Sequence, residues 1–279
     1  LEMERVFQLT LVRHGETEAN KMNICQGQMD VPLSEHGRKQ AVLLAETLAT
    51  ERFCILYTSD LSRCTETASL IASRHEYLNV VADPRLRERS HGSLEGQPFS
   101  VVREAMRRAT AKSFAAPDGE NLDQVRRRVL DFFDSMCRDY CKMCMDDIQP
   151  TRLCEKDPTI LFRFRKAQPQ SWDPSAEVNG HIMVVSHGGP IDCLLRHFRD
   201  RYGCHLSSGT ITPNTGVSSF LVRVKNRPRP TCKSVSALVT HDTSHLTPEV
   251  SGGALLAHDV IHLTPEASGG GPVTHDTSH

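Results

Sequence analysis

Two histidines stand in matching short motifs that are far apart in the chain. His14 lies in Leu11-Val-Arg-His-Gly-Glu-Thr17, and His187 lies in Val184-Val-Ser-His-Gly-Gly189. In each motif a short apolar run, typical of a buried strand, ends near the histidine, and the glycine that follows lets the backbone turn tightly beside a ligand. Because ligands of open α/β sheets bind at the carboxyl ends of the strands, we expect both histidines to serve one site.

Three charged residues complete a set that suits phosphoryl transfer. Arg13 precedes His14, Arg63 falls in the first turn of a predicted helix, and Glu88 lies in a loop between two arginines. Two arginines can hold phosphate oxygens bidentately and stabilise the charge that develops on them. Nearby cations also keep an imidazole neutral and nucleophilic. The set therefore predicts a phosphohistidine intermediate at His14, with Glu88 as the acid and base and without a metal.

Other side chains compete for these roles. Glu16, Glu95 and Glu120 are alternative acids to Glu88, and Glu16 would also stabilise the start of a helix without any catalytic role. His91 follows Glu88 closely, and we interpret it as a surface histidine. Five further histidines are expected to be ordinary helix or loop residues: His36, His75, His181, His197 and His205.

The elements that must position these residues follow from the apolar pattern between residues 6 and 224. Short β-rich runs alternate with longer helical runs, which predicts an α/β layered domain with a mainly parallel sheet. The predicted strands are Phe7–Val12, Ile182–Ser186 and Val217–Val224, and the predicted helices are Glu35–Thr50, Leu61–Arg74 and a longer one that runs from about Leu122 towards Met145.

Two segments break this pattern. Residues 146–180 are rich in Pro, Asp and Lys, and we expect a surface insertion in which Phe162-Arg-Phe-Arg-Lys166 is a solvated loop. Val239-Thr-His-Asp-Thr-Ser-His245 recurs as Leu256-Ala-His-Asp-Val-Ile-His262 and again as Val273-Thr-His-Asp-Thr-Ser-His279. The periodic region ends near Arg227-Pro-Arg-Pro230, so we expect a domain over 3–228. The histidine-rich tail over 229–279 cannot bury enough apolar surface to offset its ordering entropy, so we expect it to be disordered.

Composition bounds the class of protein. The chain has 279 residues, of which 38% are hydrophobic and 24% charged, and its net charge is −1. This balance is typical of a soluble globular protein and provides no general attraction for nucleic acid. The apolar run Val6–Val12 is too short for a signal peptide or a membrane span. We expect a cytoplasmic protein, with nuclear or mitochondrial association as alternatives, and we take Met3 as the native start.

The ten cysteines predict neither a disulfide framework nor a metal site. They are scattered along the chain, which suits reduced thiols. Cys137, Cys141 and Cys144 fall on a helical pattern, and no second Cys-x-x-Cys or nearby histidine would complete four ligands.

The chemistry-bearing motifs together resemble, in order, those of the histidine phosphatase (phosphoglycerate mutase-like) superfamily. The resemblance covers residues 7 to about 224 and is strongest to its TIGAR-type fructose-2,6-bisphosphatase group. It rests on these blocks: Arg13-His14-Gly15-Glu16-Thr17 with Asn20, Pro32-Leu33-Ser34, Ser59-Asp60-Leu61 with Arg63, Glu88-Arg89 with Gly92, Ser186-His187-Gly188 and Pro213-Asn214-Thr215. Six blocks in one order are far more specific than one Arg-His-Gly. The resemblance implies a three-layer α/β/α fold.

The resemblance also implies a role for each matching residue. His14 would be the nucleophile, Arg13 and Arg63 the phosphate clamp, His187 a hydrogen-bond donor to the phosphate, and Glu88 the acid and base. Substrate-binding roles would fall to Asn20, Gln26, Gly27 and Arg89. A second phosphate would need a further cation, for which Arg89, Arg103 and Arg107 are candidates. No cofactor is implied, and the expected partner is a small phosphorylated sugar or acid.

Hydrolases and mutases of the superfamily differ in the molecule that accepts the phosphoryl group. Mutases of the superfamily carry a lysine where this chain has Phe99, and an aromatic-Asp sequence where Ala109-Thr-Ala follows Arg107-Arg108. These departures favour water as the acceptor. The resemblance implies fructose-2,6-bisphosphate as the substrate. The alternatives are a phosphoglycerate mutase or bisphosphoglycerate phosphatase, a phosphoprotein phosphatase, and a non-enzymatic interaction module with a histidine-rich tail.

Overall fold

The computed structural model of the chain describes residues 4–108, 114–143, 151–152, 177–204, 206, 211–225 and 230–251. The strands are β1 Glu4–Arg13, β2 Ile55–Thr58, β3 Val80–Ala82, β4 Thr151–Arg152, β5 Glu177–Val178, β6 His181–Ser186, β7 Val217–Lys225 and β8 Thr231–Asp242. The helices are α1 Glu18–Lys21, α2 Glu35–Leu48, α3 Ser62–Ala72, α4 Phe99–Arg108, α5 Leu122–Lys142, α6 Gly188–Tyr202 and α7 Pro248–Ser251. The predicted strands and helices are present, with ends that differ by a few residues.

Six strands form the central sheet in the order β3-β2-β6-β1-β7-β8. The first four are parallel, and the two junctions that follow, β1 to β7 and β7 to β8, are antiparallel. Strands β1 and β6 are adjacent, with Arg13 beside Ser186. The carboxyl ends of these two strands therefore deliver the His14 and His187 motifs to the same edge of the sheet.

Helices cover both faces of the sheet. Along β6, Ile182 and Val184 pack into one core with α5 and α6, whereas Met183 and Val185 pack into a second core with α2 and α3. The alternation follows from the two-residue period of a strand and explains why this strand reads as a continuous apolar run. The three-layer α/β/α architecture with a mainly parallel sheet is confirmed.

The expected domain end at residue 228 is wrong, because the chain continues into the sheet as β8. This strand pairs with β7 along its length and buries Val235, Leu238 and Val239. Without it, the apolar strand β7 would be an exposed edge with unpaired backbone groups. The histidine repeat obscured this apolar segment, because the first copy overlaps the end of the strand. Residues 252–279 lie outside the described residues, so disorder there stays a prediction.

Most of the expected surface insertion also lies outside the described residues, including Phe162-Arg-Phe-Arg-Lys166. At its two ends, β4 and β5 pair in a short antiparallel ladder. Asn179 then joins the domain, where its N–H donates to the Val6 carbonyl and its Oδ1 accepts from the Val6 N–H.

His181 and two of the cysteines are buried in the fold. His181, expected to be an ordinary helix or loop residue, begins β6 and is buried, with Nδ1 3.1 Å from Glu51 Oε2 and Nε2 2.7 Å from Thr10 Oγ1. Cys137 and Cys141 are free thiols of the α5 core, and Cys144 lies outside the described residues.

Within the described part of the chain, no His, Cys, Asp and Glu cluster suits a metal ion. None of the helices described is long and apolar enough to cross a membrane.

Candidate active site

The two histidine motifs meet at the carboxyl ends of β1 and β6. The His14 N–H donates to the Ser186 carbonyl over 3.0 Å. The rings of His14 and His187 are 5.1 Å apart between centroids and inclined at 64°. His187 occupies the N-cap position of α6, whose first residues, Gly188 and Gly189, line the cavity together with His14. The positive end of the helix dipole thus adds to the attraction for an anion.

His14 is held as a neutral imidazole. Its Nδ1 lies 2.7 Å from the Gly15 carbonyl oxygen, which can only accept, so Nδ1 carries the proton and Nε2 keeps its lone pair. Burial lowers the pKa of His14 well below its ordinary value, and the charges of Arg63 and Arg13 lower it further. The ring lines the cavity. Its free nitrogen is therefore suited to nucleophilic attack.

A glycine follows His14 because helix α2 begins directly beside it. A Cβ on Gly15 would stand 2.5 Å from the carbonyl oxygen of Gly37, in the first turn of α2. The Gly15 N–H donates to Thr67 Oγ1 on α3 over 3.1 Å. These contacts fix the backbone that carries the His14 ring between two helices.

Arg63 sits in the first turn of α3 with 1% of its surface exposed. Its Nη1 donates to the Met29 carbonyl and its Nη2 to the Gly27 carbonyl, both over 2.8 Å, and its Nε donates to His187 Nδ1 over 3.2 Å. Burial lowers the pKa of Arg63. The guanidinium plane is fixed on three sides, and Gly27 contributes to the site by holding it.

Arg13 and His187 are both buried near Arg63, and of these two only Arg13 lines the cavity. Arg13 is buried and its Nη1 donates to the Thr212 carbonyl over 3.0 Å. His187 accepts from Arg63 at Nδ1, so its Nε2 carries the proton and donates to Ser59 Oγ over 2.9 Å. Burial lowers the pKa of His187 well below its ordinary value, with Arg63 as the next cause. Both nitrogens of His187 thus contact protein atoms, which gives it a role in orienting Arg63 that the sequence did not suggest.

Glu88 is oriented by two backbone amides. The Arg89 N–H donates to Oε1 over 2.7 Å, and the Gly189 N–H donates to Oε2 over 3.1 Å. A Cβ on Gly189 would stand 2.2 Å from Oε1, so only glycine admits this carboxylate. The carboxyl group is carried by the loop after β3 and held by the start of α6.

The three competing carboxylates do not line the cavity, whereas Glu88 does. Glu16 accepts from the Ser34 hydroxyl, Glu95 from the His91 N–H, and Glu120 pairs with Arg128 at 2.8 Å. These contacts hold loops and helix starts in place, which accounts for the three carboxylates without a catalytic role. Among these four acids, the geometry favours Glu88 for proton transfer.

The expected substrate-binding residues all line the cavity: Asn20, Gln26, Gly27 and Arg89. The Thr17 hydroxyl donates to Gln26 Oε1 over 2.9 Å and the Thr17 N–H donates to Asn20 Oδ1 over 3.2 Å, so both side chains have their amide nitrogens left to offer a ligand. Arg89 is buried, and its Nε and Nη2 donate to the carbonyls of Glu120 and Phe114.

Several placements differ from the sequence expectations. His91 is half-buried and lines the cavity, although it was expected at the surface. Arg103 and Arg107 lie on exposed positions of α4 and do not line the cavity, so Arg89 is the remaining candidate for a second phosphate. The opposite wall is apolar and comes from α4 and α5: Phe99, Met106, Leu122 and Val125.

Sequence reasoning missed residues that hold the site from behind. Asn214 Nδ2 donates to the His14 carbonyl over 3.0 Å, and Arg128 Nη2 donates to the Glu88 carbonyl over 2.9 Å. The Pro213-Asn214-Thr215 block is part of the family resemblance, but the resemblance implied no role for these residues. Arg128 is one of three consecutive arginines on a helix, a pattern that reads as a solvated surface.

Comparison with known proteins agrees with this geometry. Residues 9–144 match the histidine phosphatase superfamily (branch 1). The fructose-2,6-bisphosphatase TIGAR of Bos taurus is 34% identical over 256 residues, which cover 82% of this chain and 94% of that protein. The Xenopus tropicalis protein of the same name is 32% identical, with 86% of this chain and 98% of that protein covered.

Solved structures share the fold. YhfR of Bacillus stearothermophilus is 25% identical, with a TM-score of 0.60 and coverage of 86% of this chain and 98% of that chain. A phosphoglycerate mutase from Bacillus anthracis, 20% identical, has a TM-score of 0.60 and covers 90% of this chain with 97% of its own.

Proposed function

Because the chain belongs to the histidine phosphatase superfamily, we propose that it is a metal-independent phosphatase that acts through a phosphohistidine at His14. The observation that carries the proposal is the neutral His14 ring, whose Nδ1 is fixed by the Gly15 carbonyl, beside the buried cations Arg13 and Arg63. A nucleophile and a clamp for three phosphoryl oxygens are thereby placed in one cavity.

In the first step, His14 Nε2 attacks phosphorus as the bond between phosphorus and the ester oxygen breaks. Arg13 and Arg63 hold the equatorial oxygens, where charge develops, and their burial strengthens this attraction. The leaving alkoxide takes a proton from the carboxylic acid form of Glu88. The product is a phosphohistidine, with Glu88 left as the carboxylate.

In the second step, Glu88 takes a proton from water while the water oxygen attacks phosphorus. The bond between phosphorus and His14 Nε2 breaks, inorganic phosphate leaves, and Glu88 is again the acid. The amides of Arg89 and Gly189 hold the Glu88 carboxyl group in one orientation for both proton transfers. The cycle closes without a metal or cofactor.

The substrate we propose is fructose-2,6-bisphosphate, hydrolysed at its 2-phosphate to fructose-6-phosphate. The named relatives support it, and so does Arg89, a buried cation on the cavity wall that a second phosphate can approach. Asn20 and Gln26 would contact the transferred phosphate through their amide nitrogens. Such an activity in the cytoplasm would contribute to the regulation of glycolysis.

A phosphoglycerate mutase or bisphosphoglycerate phosphatase is the nearest alternative, and a phosphoprotein phosphatase shares the same first step. The mutase must retain a bisphosphorylated intermediate, yet the apolar Phe99 lines the cavity where the mutase pattern has a lysine. This wall favours hydrolysis.

The decisive experiment compares phosphate release from fructose-2,6-bisphosphate, 2,3-bisphosphoglycerate, a phosphoserine peptide and p-nitrophenyl phosphate. We expect the highest kcat/KM for the first. Labelled substrate quenched during turnover should leave an acid-labile, alkali-stable phosphoenzyme in the wild type and none in His14→Ala. His36→Ala, a histidine outside the cavity, is the matched control and should keep both activities. A kcat/KM for fructose-2,6-bisphosphate no higher than for p-nitrophenyl phosphate would exclude the proposed substrate, and undiminished turnover by His14→Ala would exclude the mechanism.

A further inference from the structure

The first copy of the histidine repeat continues from the end of β8 and contacts the loop that precedes β7. His245, its last residue, is 7% exposed, and its Nε2 lies 3.0 Å from Thr215 Oγ1. The other end of this copy is also attached, since the His241 N–H donates to Ser218 Oγ over 3.0 Å and Asp242 pairs with Val217. A segment that looked like the start of a tail is therefore part of the wall behind the site.

The direction of the hydrogen bond at Thr215 follows from its hydroxyl proton. Thr215 Oγ1 donates to the Asn214 carbonyl over 2.8 Å, and a hydroxyl has one proton to donate. His245 Nε2 must therefore be the donor to Thr215 Oγ1. A side chain at this position needs an N–H at the place of Nε2 to make the contact.

Thr215 in turn holds the end of β1. Its N–H points at the carbonyls of Arg13 and His14, at 3.0 Å and 3.2 Å, and the neighbouring Asn214 Nδ2 donates to the His14 carbonyl. The same loop orients a cation, because the Thr212 carbonyl accepts from Arg13 Nη1. Loop 212–215 thus sets both the backbone of the nucleophile and the direction of the Arg13 guanidinium.

Thr215 adopts a backbone conformation that does not favour it. Its φ is +54°, in the left-handed region that β-branched residues rarely enter. Such a conformation persists only where surrounding contacts determine it. His245 provides one of these contacts from outside the loop, and Thr215 is fully buried.

We propose that His245 is a positioning residue of the phosphatase site, which acts through Thr215 to hold loop 212–215 against Arg13 and His14. The proposal rests on the proposed function for its kinetic readout. It assigns a role to the first repeat, Val239–His245. The affinity of the site for a phosphoryl-like oxyanion should therefore depend on His245.

The test measures orthovanadate binding by titration calorimetry and its inhibition of phosphate release. His245→Ala should weaken vanadate binding about tenfold and lower kcat, because a displacement of a clamp group by about 1 Å can cost up to about 100-fold. A loss of folded protein alone would lower kcat but leave the vanadate Kd unchanged. His245→Gln, which offers an amide N–H near the position of Nε2, should recover most of the affinity.

Two matched controls separate the contact from the sequence that carries it. Ser244→Ala changes an exposed side chain of the same repeat, and His279→Ala changes the corresponding residue of the identical third copy. Both should bind vanadate as the wild type does. An equal loss in His279→Ala, or an unchanged vanadate Kd in folded His245→Ala, would overturn the proposal.

A double-variant cycle tests the route through Thr215. In a Thr215→Ala background, where the acceptor hydroxyl is gone, His245→Ala should cause no further weakening of vanadate binding. Additive losses would overturn the route. Calorimetry needs no turnover, so wild-type protein that binds vanadate but does not hydrolyse fructose-2,6-bisphosphate would refute the proposed substrate while the His245 proposal is still decided.

Discussion

Arg63 and the buried His187 form a single hydrogen-bonded unit: Arg63 Nε donates to His187 Nδ1 over 3.2 Å. The contact requires a neutral His187, which burial and the Arg63 charge both favour by lowering its pKa. A buried arginine that is oriented by a histidine and two carbonyls has little freedom left. The direction of its guanidinium in the cavity is therefore fixed by the protein.

Because the guanidinium plane of Arg63 is fixed, we expect that another positively charged side chain cannot replace Arg63. Arg63→Lys keeps the positive charge but cannot reach Met29, Gly27 and His187 together, and it loses the planar fork. We expect kcat to fall roughly 100- to 1,000-fold, the usual loss when one transition-state donor is removed. Steady-state phosphate release measures it.

Arg38→Lys provides the matched control for this change. Arg38 pairs with Glu66 at the protein surface, outside the cavity. The Arg38→Lys substitution should leave kcat unchanged. A kcat within threefold of wild type for Arg63→Lys would contradict a clamp that depends on guanidinium geometry.

Glu88 should be needed most when the leaving group is poor. Glu88→Gln keeps the size of the side chain but cannot transfer the proton, so we expect kcat for a sugar phosphate to fall about 100- to 10,000-fold. With p-nitrophenyl phosphate the leaving group needs no proton, and the loss in phosphoenzyme formation should be much smaller. Rapid-quench measurement of the phosphoenzyme gives both rates.

Glu104→Gln, on the exposed face of α4, is the control for this substitution and should behave as wild type. If Glu88→Gln slowed phosphoenzyme formation equally with both substrates, Glu88 would not be the acid of the first step.

The buried histidines predict that the fold weakens in acid. Burial first, and Arg63 next, hold the pKa values of His14 and His187 well below 6.5. Below about pH 6.5 the unfolded chain therefore binds protons that the folded protein does not, and the free energy of unfolding falls as the pH falls. Each histidine contributes up to about 1.4 kcal/mol per pH unit.

Urea unfolding at pH 7.5 and pH 5.5 checks this dependence. His14→Ala removes one of the two groups, so its free energy of unfolding should fall less steeply over this interval than that of the wild type. Equal slopes would mean that folding does not shift the pKa of His14.

We expect substitutions in β8 to lower the free energy of unfolding, although the sequence assigned this segment to a tail. Leu238 on β8 packs with Val6, Val178 and Leu221. Leu238→Ala should lower the free energy of unfolding by about 2–5 kcal/mol, because it removes a buried side chain and leaves a cavity. Urea denaturation measures the change.

Val101→Ala is the comparison for Leu238→Ala, since Val101 is 44% exposed on α4. We expect a change within about 0.5 kcal/mol for this surface position. A similarly small effect of Leu238→Ala would show that β8 contributes little to the fold in solution.

The sequence by itself determined the order of the elements and the types of residue at the strand ends. Buried strands such as β6 show as apolar runs, and α5 shows as a 3.6-residue pattern, because these signals are local. His14 and His187 could be paired from two short motifs, since parallel neighbouring strands bring their carboxyl ends to one edge of a sheet.

Only the tertiary structure decided which groups act from behind the site. Thr215, Arg128 and His245 lie far along the chain from the residues they support, and such contacts depend on loop packing that leaves no local pattern. The same reason explains the wrong domain end at residue 228. A strand added to the edge of a sheet is stabilised by its neighbour β7, and the short apolar run of β8 shows no such neighbour in the sequence because it continues directly into the histidine repeat.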